Sequence, residues 1–140
     1  MKFRKIDSQS YVVSIEPGEK VIEQLNLFLE KERVTNASFI AIGAADECEL
    51  AHFSVATKKY TNMVFKGQHE IANITGNIFL CDGKPVVHAH ITIGDDTFNA
   101  HAGHLVEARV CGACEILLKK LDSKVAKRHS RGIGLKLLDL

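Results

Sequence analysis

A pair of histidines one residue apart, set in a β-branched run between two turn signals, constrains this chain more than any other feature. The stretch is Pro85–Glu107, PVVHAHITIGDDTFNAHAGHLVE, and it holds four of the seven histidines: His88, His90, His101 and His104. The valines and isoleucines around His88 and His90 predict a strand. Residues two apart on a strand project from the same face, so both imidazoles point one way. Asp82-Gly83 ahead of the pair is a hairpin signal. Gly94-Asp95-Asp96 behind it supplies turn chemistry that lets the chain come back and set His101 or His104 beside the first two. Two histidines fixed on one strand face, with a third delivered by a neighbouring segment, are the donor set of a three-histidine metal site.

The 140-residue length suits one domain, 1–140, with a core that needs no staples. A net charge of +1 gives no global field that would mark a nucleic-acid binder. There is no N-terminal charged-then-apolar signal pattern and no apolar run long enough to cross a bilayer. The expectation is a soluble, cytoplasmic protein with no membrane partner. Its four cysteines, Cys48, Cys81, Cys111 and Cys114, are then expected to be reduced. Cys111-Gly-Ala-Cys114 has the spacing of a redox pair, but such a pair normally opens a helix that lowers a thiol pKa. Here it leads into the strand-like EILLKKL, and no second knuckle completes a zinc ribbon, so ordinary packing is expected.

Along the chain, Met1–Ile6 and Ser10–Glu16 read as short strands joined around Asp7-Ser8-Gln9, and Pro17-Gly18 ends the second. From Glu19 to about Arg33 the period changes: Val21, Ile22, Leu25, Phe28 and Leu29 line one helical stripe that predicts a helix laid across a sheet. Ala37–Ala45 and Glu49–Ala56 read as a long or bulged pair of strands, with Gly43 at a bulge or a close backbone approach. Met63–Phe65 and His69–Leu80 follow, the latter interrupted at Gly76-Asn77. Leu105–Val110 and Glu115–Leu121 read as two closing strands, and Arg131–Leu140 as a tail docked by its leucines and Ile133. Strands dominate with short connections, which predicts an α+β domain with a mainly antiparallel sheet and one or two covering helices.

Several motifs in order then become familiar: Ile42-Gly43-Ala44, Tyr60, Glu70-Ile71, Thr75-Gly76-Asn77-Ile78, Pro85-x-x-His88-x-His90, Gly103-His104-Leu105, and Val110 with Glu115. Together they resemble the plants-and-prokaryotes-conserved (PPC) domain family in its stand-alone prokaryotic form. The resemblance runs over residues 11–121, leaving 122–140 as a basic segment and tail. It implies a single α+β domain that assembles as a homotrimer, and a DNA-associated or regulatory role. In the plant members a separate Arg-Gly-Arg-Pro hook makes the DNA contact; here Arg131-Gly132 is followed by Ile133, so the residues that would enter a minor groove are absent. By position, His88, His90 and His104 match the family's H-x-H and G-H-L histidines. The residue at His101 is usually small there, so this histidine is either an extra ligand or a local addition.

Two functional readings follow. In the first, His88, His90 and His104 hold a divalent metal, zinc first, with His101 as an additional ligand. Glu70 or Glu115 is then the candidate general base or the acceptor of a ring N–H. A small-molecule binder or hydrolase would use such a site, and whether a reaction occurs stays open. The competing view of the same histidines is hydrogen bonding in a polar pocket or across an interface. His52, His69 and His129 are expected at surfaces or edges. In the second reading, the seven lysines and arginines between Lys119 and Lys136, set against one acidic residue, Asp122, contact DNA phosphates through Lys124, Lys127, Arg128 and Arg131.

Overall fold

Stretches that look divided in the sequence are continuous strands in space. A computed structural model describes residues 1–122 and 125–140. In it β3 runs unbroken over Ala37–Ser54, β4 over Lys59–Cys81 and β6 over Ala100–Lys120. The expected break at Gly76-Asn77 is therefore absent, as is the gap between the two closing strands. The irregularities are absorbed as register shifts: β3 slips against β4 between Ala41 and Gly43 and again between Ala45 and Glu47. Such bulges bend a long strand without ending it. Gly43 sits where the β6 backbone at Ala113 and Cys114 passes close to β3. A Cβ there would fall 2.0 Å from the Ala113 carbonyl oxygen, so only a glycine permits the approach.

The remaining elements are β1 (Lys2–Lys5), β2 (Ser10–Ile15), α1 (Val21–Glu32), β5 (Lys84–Gly94), β7 (Ala126–Ser130) and β8 (Leu135–Asp139). All strands belong to one sheet, in the order β1-β2-β6-β3-β4-β7-β8, and β5 pairs with both β4 and β6. The pairings of β3, β4, β5 and β6 thus form a closed circuit. Every pair is antiparallel except β4 with β7. This is the α+β class expected, with one helix rather than two among the described residues.

The helix buries the predicted stripe. Val21, Leu25, Phe28 and Leu29 share one buried core with Ile15, Ile71, Ile74, Ile91, Ile93 and Ile116. Its N-terminus lacks a side-chain cap from Lys20. The Glu107 carboxylate of β6 accepts instead from the Ile22 and Glu23 backbone N–H groups, at 2.8 and 3.2 Å. A carboxylate placed there satisfies two orphan donors and meets the positive end of the helix dipole. At the other end Arg33 adopts φ 52° and closes the helix in the left-handed region.

The C-terminal segment departs most from expectation. It is a β7–β8 hairpin that adds to the β4 edge through Leu80–Ala126 and Cys81–Lys127. Its apolar residues do not dock into the core: Ile133, Leu137, Leu138 and Leu140 are exposed. Pairing with the exposed β4 edge fixes this segment, because unpaired strand groups offer a ready template.

Candidate metal centre

Strand register builds the centre. β5 returns through a tight turn in which Asp82 and Gly83 both have positive φ, the conformation the Asp-Gly pair was read to supply. On β5 the residues Ala89, Ile91 and Ile93 are buried, so His88 and His90 face away from the core. The next turn is held by the Asp95 carboxylate, which accepts from the Thr97 and Asn99 N–H groups at 2.9 Å each. It returns the chain so that His90 pairs with His104 and Ile93 with His101. Directly paired residues share a face. His104 therefore joins His88 and His90, whereas His101 shares the core-side face with Ile93 and stacks against Phe65, ring centroids 4.5 Å apart.

The three rings converge. Centroids are 5.3 Å apart for His88 and His90, 5.4 Å for His88 and His104, and 5.8 Å for His90 and His104. One nitrogen from each lies within 4.8 Å of the others. Nitrogens at 2.0–2.1 Å from a tetrahedral ion stand about 3.4 Å apart, so small ring rotations would close the set on a metal. The electrostatics suit coordination. Burial pushes His88 down to about 4, helped by Lys127 and by its two histidine neighbours. His104 is lowered too, chiefly by burial and then by His90 and Lys127. His88 and His90 are nonetheless exposed at the cavity and His104 is half-buried, so the desolvation comes from atoms packed around the rings and not from full enclosure. The His88 and His104 rings are neutral at neutral pH, with a lone pair free to donate.

The cavity, about 720 Å³, is built by β3, β4, β5, β6 and the C-terminal hairpin. Phe53, Tyr60, Val86, Val87 and Leu135 supply apolar wall, and the Tyr60 ring lies 5.7 Å from that of His104. Asn77 pairs with His88 across β4 and β5. Its Oδ1 accepts from Lys127 Nζ at 3.0 Å. Lys127 is buried, not part of an exposed basic face, and burial lowers its pKa. His52 and His129 also line the cavity. The lining role of His52, His129 and Lys127 is not readable in the sequence, because no local pattern ties them to the His88/His90 strand. Only the pairings of Ala51 with His104 and of Leu80 and Cys81 with β7 bring them in.

Other expected site residues lie elsewhere. Glu70 pairs with Gly94 and Ala44, and Glu115 with Ile42. On β4, Glu70 is five positions from Thr75, the partner of His90, roughly 16 Å along a strand. Within this chain, then, neither carboxylate reaches the histidines, and both are exposed beside Gly43 in a separate shallow depression. Arg128 is exposed but paired with Asp139 at 2.8 Å. Arg131 is exposed, and Lys124 lies outside the described residues. His69, expected at an edge, is buried and donates from Nδ1 to the Gly67 carbonyl at 2.8 Å. All four cysteines are free; Cys48 and Cys114 are buried, which pushes their thiols up to about 11 and about 12. Such thiols are inert packing groups. No helix among the described residues is long and apolar enough to cross a membrane.

Comparison with known proteins gives one family. The sequence profile of the Plants and Prokaryotes Conserved domain matches residues 5–122. A solved structure of a presumed DNA-binding protein from Bacteroides thetaiotaomicron is 33% identical, covering 99% of this chain and 96% of its own, with a TM-score of 0.95. A plant- and prokaryote-conserved protein from Pyrococcus horikoshii is 28% identical over 95% of this chain and 92% of its own, TM-score 0.88. A metal-containing protein from Archaeoglobus fulgidus is 27% identical over the whole of both chains, TM-score 0.89. No curated protein sequence matches.

Proposed function

The chain belongs to the Plants and Prokaryotes Conserved domain family, and from that premise we propose that it is a metal-binding protein whose three-histidine centre opens on a small-molecule cavity. The observation that carries this reading is the convergence of His88, His90 and His104, with one nitrogen each within 4.8 Å, at the floor of that cavity. The similar protein from Archaeoglobus fulgidus is described as metal-containing, which supports the same reading. Zinc is the first choice on abundance and on imidazole donors. A zinc ion with three protein ligands keeps an open position and supplies a Lewis acid or an activated water there. His90 and His104 fix two donors across a strand pair, and His88 adds the third from the same face. Among the described residues no carboxylate lines the cavity, so proton movement there would fall to His52, His129 or Tyr60.

A zinc titration of metal-stripped protein against a competing chelator tests the centre. Wild type is expected to take one ion per chain, His88→Ala and His104→Ala to lose at least about a hundredfold in affinity, and His101→Ala to keep it. Equal affinity in wild type and His88→Ala would sink the assignment.

We also propose that the chain assembles as a homotrimer, as the family resemblance implies. Ile40 and Leu117 pair across β3 and β6, and with Ile42 they form an exposed apolar strip that a second copy would cover. Light scattering is expected to give three times the 15.4 kDa chain mass. A DNA-associated role is the second reading, supported by the description of the Bacteroides thetaiotaomicron protein and by exposed Arg131 and Lys119. Such binding would be to phosphates, weaken steeply with salt, and ignore His88→Ala.

A further inference from the structure

The cavity beside the histidines carries charge of one sign. Lys127 enters it from β7 and Lys136 from β8, and among the described residues no aspartate or glutamate lines it. None of the ion pairs among the described residues includes Lys127. An ammonium has three N–H donors, and Asn77 Oδ1 takes one of them at 3.0 Å. Lys127 itself is 8% exposed. A cation that far from bulk water is costly unless an opposite charge meets it. Besides Asn77, the Phe79 ring meets the ammonium, 5.9 Å from its centroid, but no carboxylate among the described residues lines the cavity, and an anion from outside would supply the missing charge.

The rest of the lining says what kind of anion fits. Among the described residues of the wall Lys127 is the one buried cation, which favours a monoanion over a phosphate dianion. Among the described residues no arginine and no helix N-terminus lines the cavity. Val55, Val86, Val87, Leu135 and Leu137 make most of the remaining surface apolar. A small ligand in such a site has one polar end fixed by a few placed groups and a hydrocarbon end in van der Waals contact.

We propose that the cavity binds a small organic carboxylate with an apolar arm, its carboxylate meeting Lys127 beside the histidines and its arm lying on Val86, Val87 and Leu135. The proposal rests on the reading of this cavity as the functional site, but its recognition element is Lys127 and not the metal. It also explains why a basic segment folds back as a hairpin: β7 delivers the cation to the cavity, and β8 covers the apolar end.

The test uses isovalerate and its neutral isostere isovaleramide, titrated by calorimetry into full-length protein, once metal-stripped and once zinc-loaded. Metal-stripped wild type should bind isovalerate at least about tenfold more tightly than the amide. Lys127→Gln should abolish the preference and Lys127→Arg should restore part of it. Equal affinities for acid and amide, no binding of either at millimolar concentration, or an unchanged preference in Lys127→Gln would each overturn the proposal. The wild-type comparison needs no variant, so a misfolded Lys127→Gln does not blunt it. A protein that refuses zinc yet keeps the preference loses the metal reading and keeps this one; a protein that takes zinc and shows no preference does the reverse.

Discussion

The β5–β6 ladder and the C-terminal hairpin meet at the same cavity but are encoded differently. In the ladder, strand alternation alone sets the site. Ala89, Ile91 and Ile93 must be buried, so His88 and His90 must face the other way, and the Asp95 turn fixes which histidine of β6 answers them. In the hairpin nothing local decides. Lys127 and Arg128 are adjacent in sequence and alike in chemistry, yet one is buried against Asn77 and the other is exposed and paired with Asp139. What separates them is the two-residue pairing of β7 with β4. A face is readable from sequence when its own strand carries the hydrophobic pattern, and unreadable when the pattern belongs to a distant partner.

Glycine substitutions should break this comparison most sharply. On β4, which pairs with β5 beside the ladder, a Cβ on Gly76 would lie 2.4 Å from the Phe39 ring and 2.9 Å from the His88 carbonyl oxygen. Phe39 is buried and cannot swing away. Gly76→Ala should therefore cost about 2–3 kcal/mol in denaturant unfolding and weaken metal binding by shifting β5. Gly132, in the hairpin turn, meets nothing nearer than the Ser130 hydroxyl at 3.9 Å. Gly132→Ala should change stability by less than about 0.5 kcal/mol. Equal costs at the two sites would show that the ladder is not the more tightly packed of the two regions.

Proton linkage gives a smaller effect, specific to the ladder. His88 is depressed to about 4 in the folded protein against an ordinary 6.5, so below 6.5 the unfolded chain takes up protons that the folded chain refuses. Stability is then full above about pH 6.5 and falls progressively as pH drops toward 4. In metal-stripped protein the melting temperature should follow that course, and His88→Gln should flatten part of it. A melting temperature constant across that window would contradict the depression of His88. Smallest of all is the exposed pair in the hairpin: Arg128→Ala should cost no more than about 1 kcal/mol, read by the same unfolding curves.

Much of the fold was legible for reasons visible in these residues. The helix stripe, the Asp82-Gly83 turn and the two outward histidines follow from local period and turn chemistry, and the motif resemblance supplied the family. Strand lengths were not legible. Gly76-Asn77 and Cys111-Gly-Ala-Cys114 look like breaks in a one-dimensional pattern, and become close-approach and bulge positions only when a neighbouring strand lies over them. Glu70 and Glu115 were attractive as acids within apolar segments, but register sets them on another part of the sheet. His52 and His129 carried no signal beyond their residue type, and Lys127 was read with its basic neighbours as a phosphate contact; only strand pairing gathers the three at the cavity.

The measurement closest to the central claim is elemental analysis of protein purified without an affinity tag, beside His88→Ala and His101→Ala. The account predicts about one zinc or similar divalent ion per chain in wild type and in His101→Ala, and none in His88→Ala. Metal-free wild type that also refuses added zinc, or a His88→Ala protein as loaded as wild type, would contradict it.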